Sequence, residues 1–422
     1  MNPVRVLYDA PEFGMFQLTG HVQGVGRVVE EVARGLQASP DCDLRLMASF
    51  FQGLAGEWIA EKFPEAAFVH SPAQQFVSRV LTKAYNPQIM FDAERAHQFK
   101  IRLRRLATKG VIAPFRSWLR SVPDAVWNDV DLFHGNTGPI PGQIAKRRLP
   151  VFAYVHDLIR IRHPEFFTDV RPGEKERTRA ALSHKRWYLC VSESTRNDLL
   201  ELDCCDPAKV FVTPLAAGRQ FVPNQNEERT SECRQKYGIG DSPFLLSVST
   251  LEPRKNLDFV VRSFLKLVQE QNLPDLKLVL VGGIGWKYRG ISEPLCEAGA
   301  LRNRVIFTGF VPDADLPILY SEALAFVYMS LYEGFGLPPL EAMQCGAPVI
   351  TSNSSSLPEV VGKAGITLDA RDADGFCQAL LSVATDRNLR NTMSQQSVAQ
   401  AFMFSWERCT NNVIAAYRQS TA

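Results

Sequence analysis

The chain has 422 residues, 45% of them hydrophobic and 22% charged, with a formal net charge of +2. That length exceeds what one core usually supports, so two domains are expected, and the near-balanced charge gives no global pull toward nucleic acid. Its nine cysteines form no CxxC pair and no zinc-type spacing, which argues against a cysteine-held metal and for reduced, mostly buried thiols in a cytoplasmic protein. In chain order, Met1-Asn2-Pro3 leads directly into a strand, Val4 to Tyr8, without the apolar stretch of a signal peptide. No run of 18 apolar residues occurs, so neither that export route nor a membrane span is expected. A loop ending in Gly24-Val25-Gly26 opens a helix to about Leu36, with Val28, Val29, Val32 and Leu36 on one face. Short strands follow at Leu132 to His134, Val151 to Val155, Trp187 to Val191 and Lys209 to Thr213. The chain turns polar between Ala217 and Gln235, as a connector would. Phe244 to Val248, Leu276 to Val281, Val305 to Phe307, Ala325 to Tyr328 and Ala347 to Thr351 are the strands of a second unit, and a last helix runs from about Trp406 to Arg418. Alternating strands and helices predict an α/β chain with mainly parallel sheets and ligands at the carboxyl ends of strands.

The most informative stretch is Glu333-Gly334-Phe335-Gly336-Leu337-Pro338-Pro339-Leu340-Glu341. It follows a buried-strand pattern, and its two prolines fit the first turn of a helix, where backbone N–H groups have no partner anyway. The Gly-Phe-Gly loop and that helix start make an anion site, for which phosphate is the usual occupant. Two carboxylates beside a phosphate site would repel it. They suit vicinal hydroxyls instead, and the combination predicts a nucleotide diphosphate sugar.

This stretch resembles the E-x(7)-E motif of retaining glycosyltransferases of the GT-B fold, specifically glycosyltransferase family 4 (group 1). Cys345 to Ile350, Leu357-Pro358-Glu359-Val360-Val361 and Ser249 to Leu257 are similar to the same family, the last to its bacterial mannosyltransferase-like branch. Gly24-Val25-Gly26-Arg27 and Tyr154-Val155-His156-Asp157 carry the likeness into the first half. The resemblance implies two Rossmann-like domains facing a cleft: 1–217 for the acceptor, a linker 218–242, 243–405 for the nucleotide sugar, and a helix 406–422 returning to the first domain. It also implies retention of anomeric configuration.

Arg254-Lys255 follows a strand's carboxyl end, where paired cations can grip a diphosphate. Alone such a pair is usually a solvated face. Relatives often place the second cation where this chain has Ser249 or Thr250, so Arg254 is expected to supply it. His156 also ends a strand, and in relatives the similarly placed histidine lies near the donor sugar. Asp157 either orients it or caps the next turn. Gly24 and Gly26 would let backbone approach the diphosphate, with Arg27 joining them or facing solvent. Gly309-Phe310-Val311 stands where relatives hold the base through backbone groups. The candidate catalytic groups are thus His156, Glu333, Arg254 and Lys255. The candidate donor-binding groups are Gly24, Gly26, Val311, Gly334, Phe335, Gly336, Leu337 and Glu341, with Glu341 on the ribose and Glu333 on sugar hydroxyls.

Other patterns lead elsewhere. Gly283-Ile284-Gly285 lacks the third glycine of a dinucleotide fingerprint, and no P-loop occurs. The Asp-x-Asp spacings at Asp129, Asp313 and Asp372 read as structural, Asp313 and Asp372 as helix-starting residues. No metal or cofactor is therefore required. From Ser78 to Ser121 ten basic residues stand against Asp92 and Glu94, interleaved with apolar ones. Such a segment packs as a basic helical pair, or lies on an anionic membrane at on the order of 1 kcal/mol per cation. The second reading would suit a polyprenyl-linked or other glycan acceptor and a peripheral location on the cytoplasmic membrane. The expected activity is hexose transfer, with GDP-mannose the first donor to test. The alternatives are a nucleotide-sugar epimerase of the same fold and a non-catalytic sugar-nucleotide-binding protein.

Overall fold

A computed structural model describes residues 2–19, 24–49, 51–84, 118–119, 121–136, 142–167, 170, 173–271, 273, 275–283, 285 and 292–421. Most of the basic segment 78–121 lies outside the described residues. Two all-parallel sheets organise the rest. The first contains β1 (Val4–Asp9), β2 (Cys42–Met47), β3 (Ala67–Phe68), β4 (Leu132–Asn136), β5 (Val151–Val155), β6 (Trp187–Cys190) and β7 (Val210–Val212), in the order β3-β2-β1-β4-β5-β6-β7. The second contains β8 (Phe244–Val248), β9 (Lys277–Val281), β10 (Val305–Gly309), β11 (Ala325–Tyr328), β12 (Val349–Ser352) and β13 (Ile366–Leu368), in the order β10-β9-β8-β11-β12-β13.

Central strands such as β5, β11 and β12 are buried along their whole length. That is why they read as unbroken apolar runs rather than alternating ones. The helix Val25–Ala38 buries Val28, Val29, Val32 and Leu36, the face its periodicity predicts. The sequence does not single out β2, because charged Asp43 and Arg45 break its apolar run. It is fixed by parallel pairing with β1, Val6 opposite Leu44.

The polar connector holds more order than its composition suggests. It contains the helix Glu227–Lys236, capped by Asn226, whose side chain accepts the Arg229 N–H. Acidic Glu227 and Glu228 open this helix and basic Arg234 and Lys236 end it, which complements the helix dipole. The last helix, Trp406–Thr421, returns to the first sheet as the resemblance implies. Tyr417, fully buried, bonds Nδ1 of His134 on β4. Arg418 pairs with Asp41 at 2.5 Å, and Trp406 Nε1 donates to the Ala217 carbonyl at 3.1 Å.

Candidate active site

In the second sheet the strand order reverses between β8 and β11. A crevice opens beyond the carboxyl ends of strands at such a point. The segment after β8 carries Glu252, Arg254 and Lys255, and the segment after β11 carries Glu333 to Gly336. The cations and the glycine loop, 79 residues apart in sequence, are thereby side by side. A cleft of about 520 Å³ lies in front of them. Both halves of the chain line it, including Gly24, Arg27, His156, Lys255, Val311 and Glu333.

Glu333 is buried and fully engaged. Its Oε1 accepts from Lys255 Nζ at 2.6 Å, Ser330 Oγ at 2.6 Å and Tyr328 OH at 2.9 Å, and its Oε2 from Arg254 Nη1 at 2.6 Å. Burial alone would raise this carboxyl, but the charges of Lys255 and Arg254 outweigh it and hold the group at about 2. Arg254 also pairs with buried Glu252 at 2.5 Å. The sequence reading missed Glu252, whose only local signal is its place two residues before Arg254. Four charges therefore sum to zero here. Lys255 spends one ammonium donor on Tyr328 OH, at 2.7 Å, and one on Glu333, leaving its third.

The glycine loop shows why its residues are small. A Cβ on Gly334 would stand 2.0 Å from the His156 carbonyl oxygen of the other half. Gly336 has φ of 119°, a conformation only glycine adopts easily, and begins the helix Leu337–Gln344 with Pro338 and Pro339 in its first turn. Ser356 Oγ shares its one hydrogen between the carbonyls of Phe335 and Glu333, at 2.6 and 3.1 Å. The Gly334 carbonyl accepts from Ser192 and Thr195 of the first half. A trans peptide points its N–H opposite to its carbonyl. With three carbonyls so held, the N–H groups of Gly334, Phe335 and Gly336 point away from those partners.

Glu341, on the helix after the loop, is also buried. It accepts from Tyr320 OH at 3.2 Å and from Arg27 Nη1 at 2.7 Å. Burial pushes its carboxyl up to about 7 against the pull of Arg27. Arg27 lines the cleft with Gly24 and is mostly buried rather than facing solvent. Its second terminal nitrogen pairs with Asp313 at 2.5 Å. This corrects the reading of Asp313 as a helix-starting residue, since Asp315 precedes the helix Leu316–Glu322. Asp372 does cap its helix, accepting the Gly375 N–H, and Asp129 and Asp131 pair with Arg5.

His156 reaches the cleft from β5, stacked on Tyr154 at 5.2 Å between ring centroids. Burial lowers its imidazole to about 4, so it is neutral near pH 7. Asp157 accepts the Ile159 N–H at 3.1 Å, capping the turn. Val311, Gly334, Phe335, Gly336 and Leu337 all line the cleft, as does Gly24. Gly26 does not: it is buried beneath Phe16, whose ring lies 2.3 Å from where its Cβ would be. Its smallness serves helix packing rather than approach to a ligand. Among the described residues no three His, Cys, Asp or Glu side chains gather as a metal site would require.

Comparison with known proteins agrees with this geometry. The family described as "Glycosyl transferases group 1" matches residues 230–399. O-antigen chain mannosyltransferase B of Escherichia coli is 35% identical over 291 residues, covering 68% of this chain and 74% of that protein. Serotype-specific mannosyltransferase WbdA of Escherichia coli is 30% identical over 304 residues, 70% of this chain but 37% of that longer protein. Among solved structures, Anabaena HepE in complex with UDP superposes with a TM-score of 0.66 at 17% identity, covering 99% of this chain and 100% of that one. At that identity the likeness is one of fold. With its two facing Rossmann-like domains, the chain belongs to the group 1 glycosyltransferases of the GT-B fold.

Proposed function

We propose that this glycosyltransferase moves a hexose from a nucleotide diphosphate sugar, GDP-mannose first, to a glycan or polyprenyl-linked acceptor in surface polysaccharide synthesis, with retention of configuration. One observation carries the reading. The three-residue carbonyl-satisfied loop, the spare donor of Lys255 and the two buried carboxylates Glu333 and Glu341 face a single cleft between the halves. Relatives named as mannosyltransferases support mannose.

The donor's diphosphate would lie against the loop N–H groups, Lys255 and Arg254, its ribose on Glu341 and its sugar near Glu333 and His156. As the glycosidic bond breaks, negative charge grows on the leaving phosphate, and donors aimed there stabilise it more than they stabilise the ground state. Among the described residues no side chain in the cleft is poised as a nucleophile, so the acceptor oxygen attacks on the leaving-group face and its proton passes to the departing phosphate. Neutral His156 donates to or accepts from the sugar without adding charge.

The test is release of nucleoside diphosphate from GDP-mannose, UDP-glucose, UDP-galactose, UDP-N-acetylglucosamine and dTDP-rhamnose, with product analysis. Free GDP together with a mannosylated acceptor is expected. A changed sugar nucleotide without free GDP would mean an epimerase, a melting shift without turnover when acceptor is present would leave a non-catalytic binder, and neither signal with any donor would overturn the donor site.

A further inference from the structure

The glycine loop is not held by its own half alone. Ser192 and Thr195, at the start of the helix Glu193–Leu200 in the first half, both donate to the Gly334 carbonyl, at 2.6 and 3.1 Å. Thr195 is 0% exposed and Ser192 1%. A carbonyl has two lone pairs, and these hydroxyls take both. The planar trans peptide then fixes the Phe335 N–H in the opposite direction. Released, the same peptide could turn its oxygen toward an incoming phosphate, and two negative ends would repel.

The two hydroxyls are themselves anchored. Ser192 Oγ accepts the Thr195 N–H at 3.0 Å, as a helix cap. The next N–H groups, of Glu193 and Ser194, donate to the Glu359 carboxylate of the second half at 2.8 and 2.7 Å. The helix start is thus pinned on the second half both at the loop and beside it.

We propose that Ser192 and Thr195 are positioning residues for the donor's diphosphate, so that the phosphate cradle of the second half is complete only when the first half docks on it. The inference rests on the nucleotide-sugar reading above. It assigns the acceptor-side half a part in binding the donor through the peptide it aims, without either hydroxyl touching the ligand.

The experiment compares affinities for GDP against GMP, and UDP against UMP, by calorimetry, with melting curves in parallel. Wild type is expected to prefer one diphosphate over its monophosphate. Thr195→Val keeps the side chain's shape and leaves the Ser192 cap in place. It is expected to cut that preference by at least about tenfold, the scale of one hydrogen bond to a charged group, with monophosphate affinity unchanged. Ser192→Ala should act the same way, and Thr195→Ser should restore the preference. If melting shows that Thr195→Val does not fold, Ser192→Ala carries the comparison. A folded variant that keeps the wild-type preference, or that loses both nucleotides equally, overturns the positioning role. A wild type with no diphosphate preference overturns the donor reading itself, and this role with it.

Discussion

Arg27 and Glu341, 314 positions apart, meet across the cleft at 2.7 Å. The arginine comes from the helix Val25–Ala38 of the first half, and the glutamate from the helix that follows the glycine loop. A carboxylate offers about four lone-pair sites. Arg27 and Tyr320 occupy two of them, which leaves room for a pair of vicinal hydroxyls without breaking the ion pair. The contact that ties the halves together therefore also orients the group expected to hold the ribose.

Because Glu341 titrates near 7, far above the ordinary 4.5, donor capture should depend on pH in the neutral range. The deprotonated form accepts two hydroxyls better than the acid does. We predict that kcat/KM, which reports groups of the free enzyme, falls as pH drops through about 7. Glu341→Gln should flatten this limb, and Arg27→Met, by removing the opposing charge, should move its midpoint upward. The stability term runs the other way: between 4.5 and 7 the native state keeps a proton that the unfolded chain has released. That contribution is full below 4.5 and is lost as pH rises through 7. A pH–rate profile of the three proteins is the measurement.

Glu333 has the opposite sign. Its carboxyl is held at about 2, so the stability it contributes is present above 4.5 and is lost as pH falls toward 2. Read from the motif alone, Glu333→Ala would stop turnover and spare the fold. The geometry predicts that it does both kinds of damage, since Lys255 would be left buried without its carboxylate. Breaking such a pair costs about 3–5 kcal/mol, which lowers Tm on the order of 10 °C in a domain of this size. Turnover should drop at least ~10²-fold, the scale of a lost transition-state donor, because Lys255 and Arg254 lose the carboxylate that aims them. Calorimetry beside a rate assay checks this, and an unchanged Tm would show that Lys255 does not depend on Glu333.

Sequence alone showed the strand, glycine loop and proline-started helix around Glu333, because that chemistry is local: an apolar run, Gly at tight positions, Pro where N–H groups are spare. It also showed Lys255 and His156 at strand ends. It could not show Arg27 on Glu341, or Ser192 and Thr195 on Gly334, because those partners join only when the two halves face each other. Ser192-Glu193-Ser194-Thr195 does carry a helix-cap pattern, which signals the helix but not its second use. Gly26 misled for a related reason, since a packing glycine and a ligand-approach glycine look alike in a Gly-Val-Gly string.

Tyr417 gives a test of the returning helix that leaves the cleft untouched. Its hydroxyl bonds the buried His134, whose imidazole is lowered to about 3 by burial. Tyr417→Phe removes that partner while keeping the ring, at a cost of about 1–3 kcal/mol. We predict a lower Tm and turnover within about twofold of wild type under conditions where both proteins are folded. His134 binds a proton more readily in the unfolded chain, so its contribution is present above 6.5 and is lost as pH falls toward 3. Because Glu341 gains stability over the same range, the comparison is made in a Glu341→Gln background, where melting curves from pH 7 down to 5 should decline. The decline should persist when Tyr417→Phe is added, which loses the bond but not the burial.

Glu359 belongs to the Leu357–Val361 helix of the second half, yet its two oxygens accept the Glu193 and Ser194 N–H groups of the first. A carboxylate at a helix N-terminus stabilises by about 0.3–1 kcal/mol when exposed. Here that energy acts between the two halves rather than within one. Closure that excludes water is a general requirement of transfer to an acceptor rather than to solvent. Glu359→Ala should therefore shift the halves toward separation by a few-fold in population, with each half still folded. Small-angle scattering should show a larger radius of gyration, and the rate assay a greater share of sugar released to water in place of acceptor. Restoring the carboxylate one methylene shorter, as Glu359→Asp, should recover little, since two bonds at 2.7–2.8 Å depend on its reach. Unchanged scattering together with an unchanged hydrolysis ratio would show that the Glu359 contact does not govern closure.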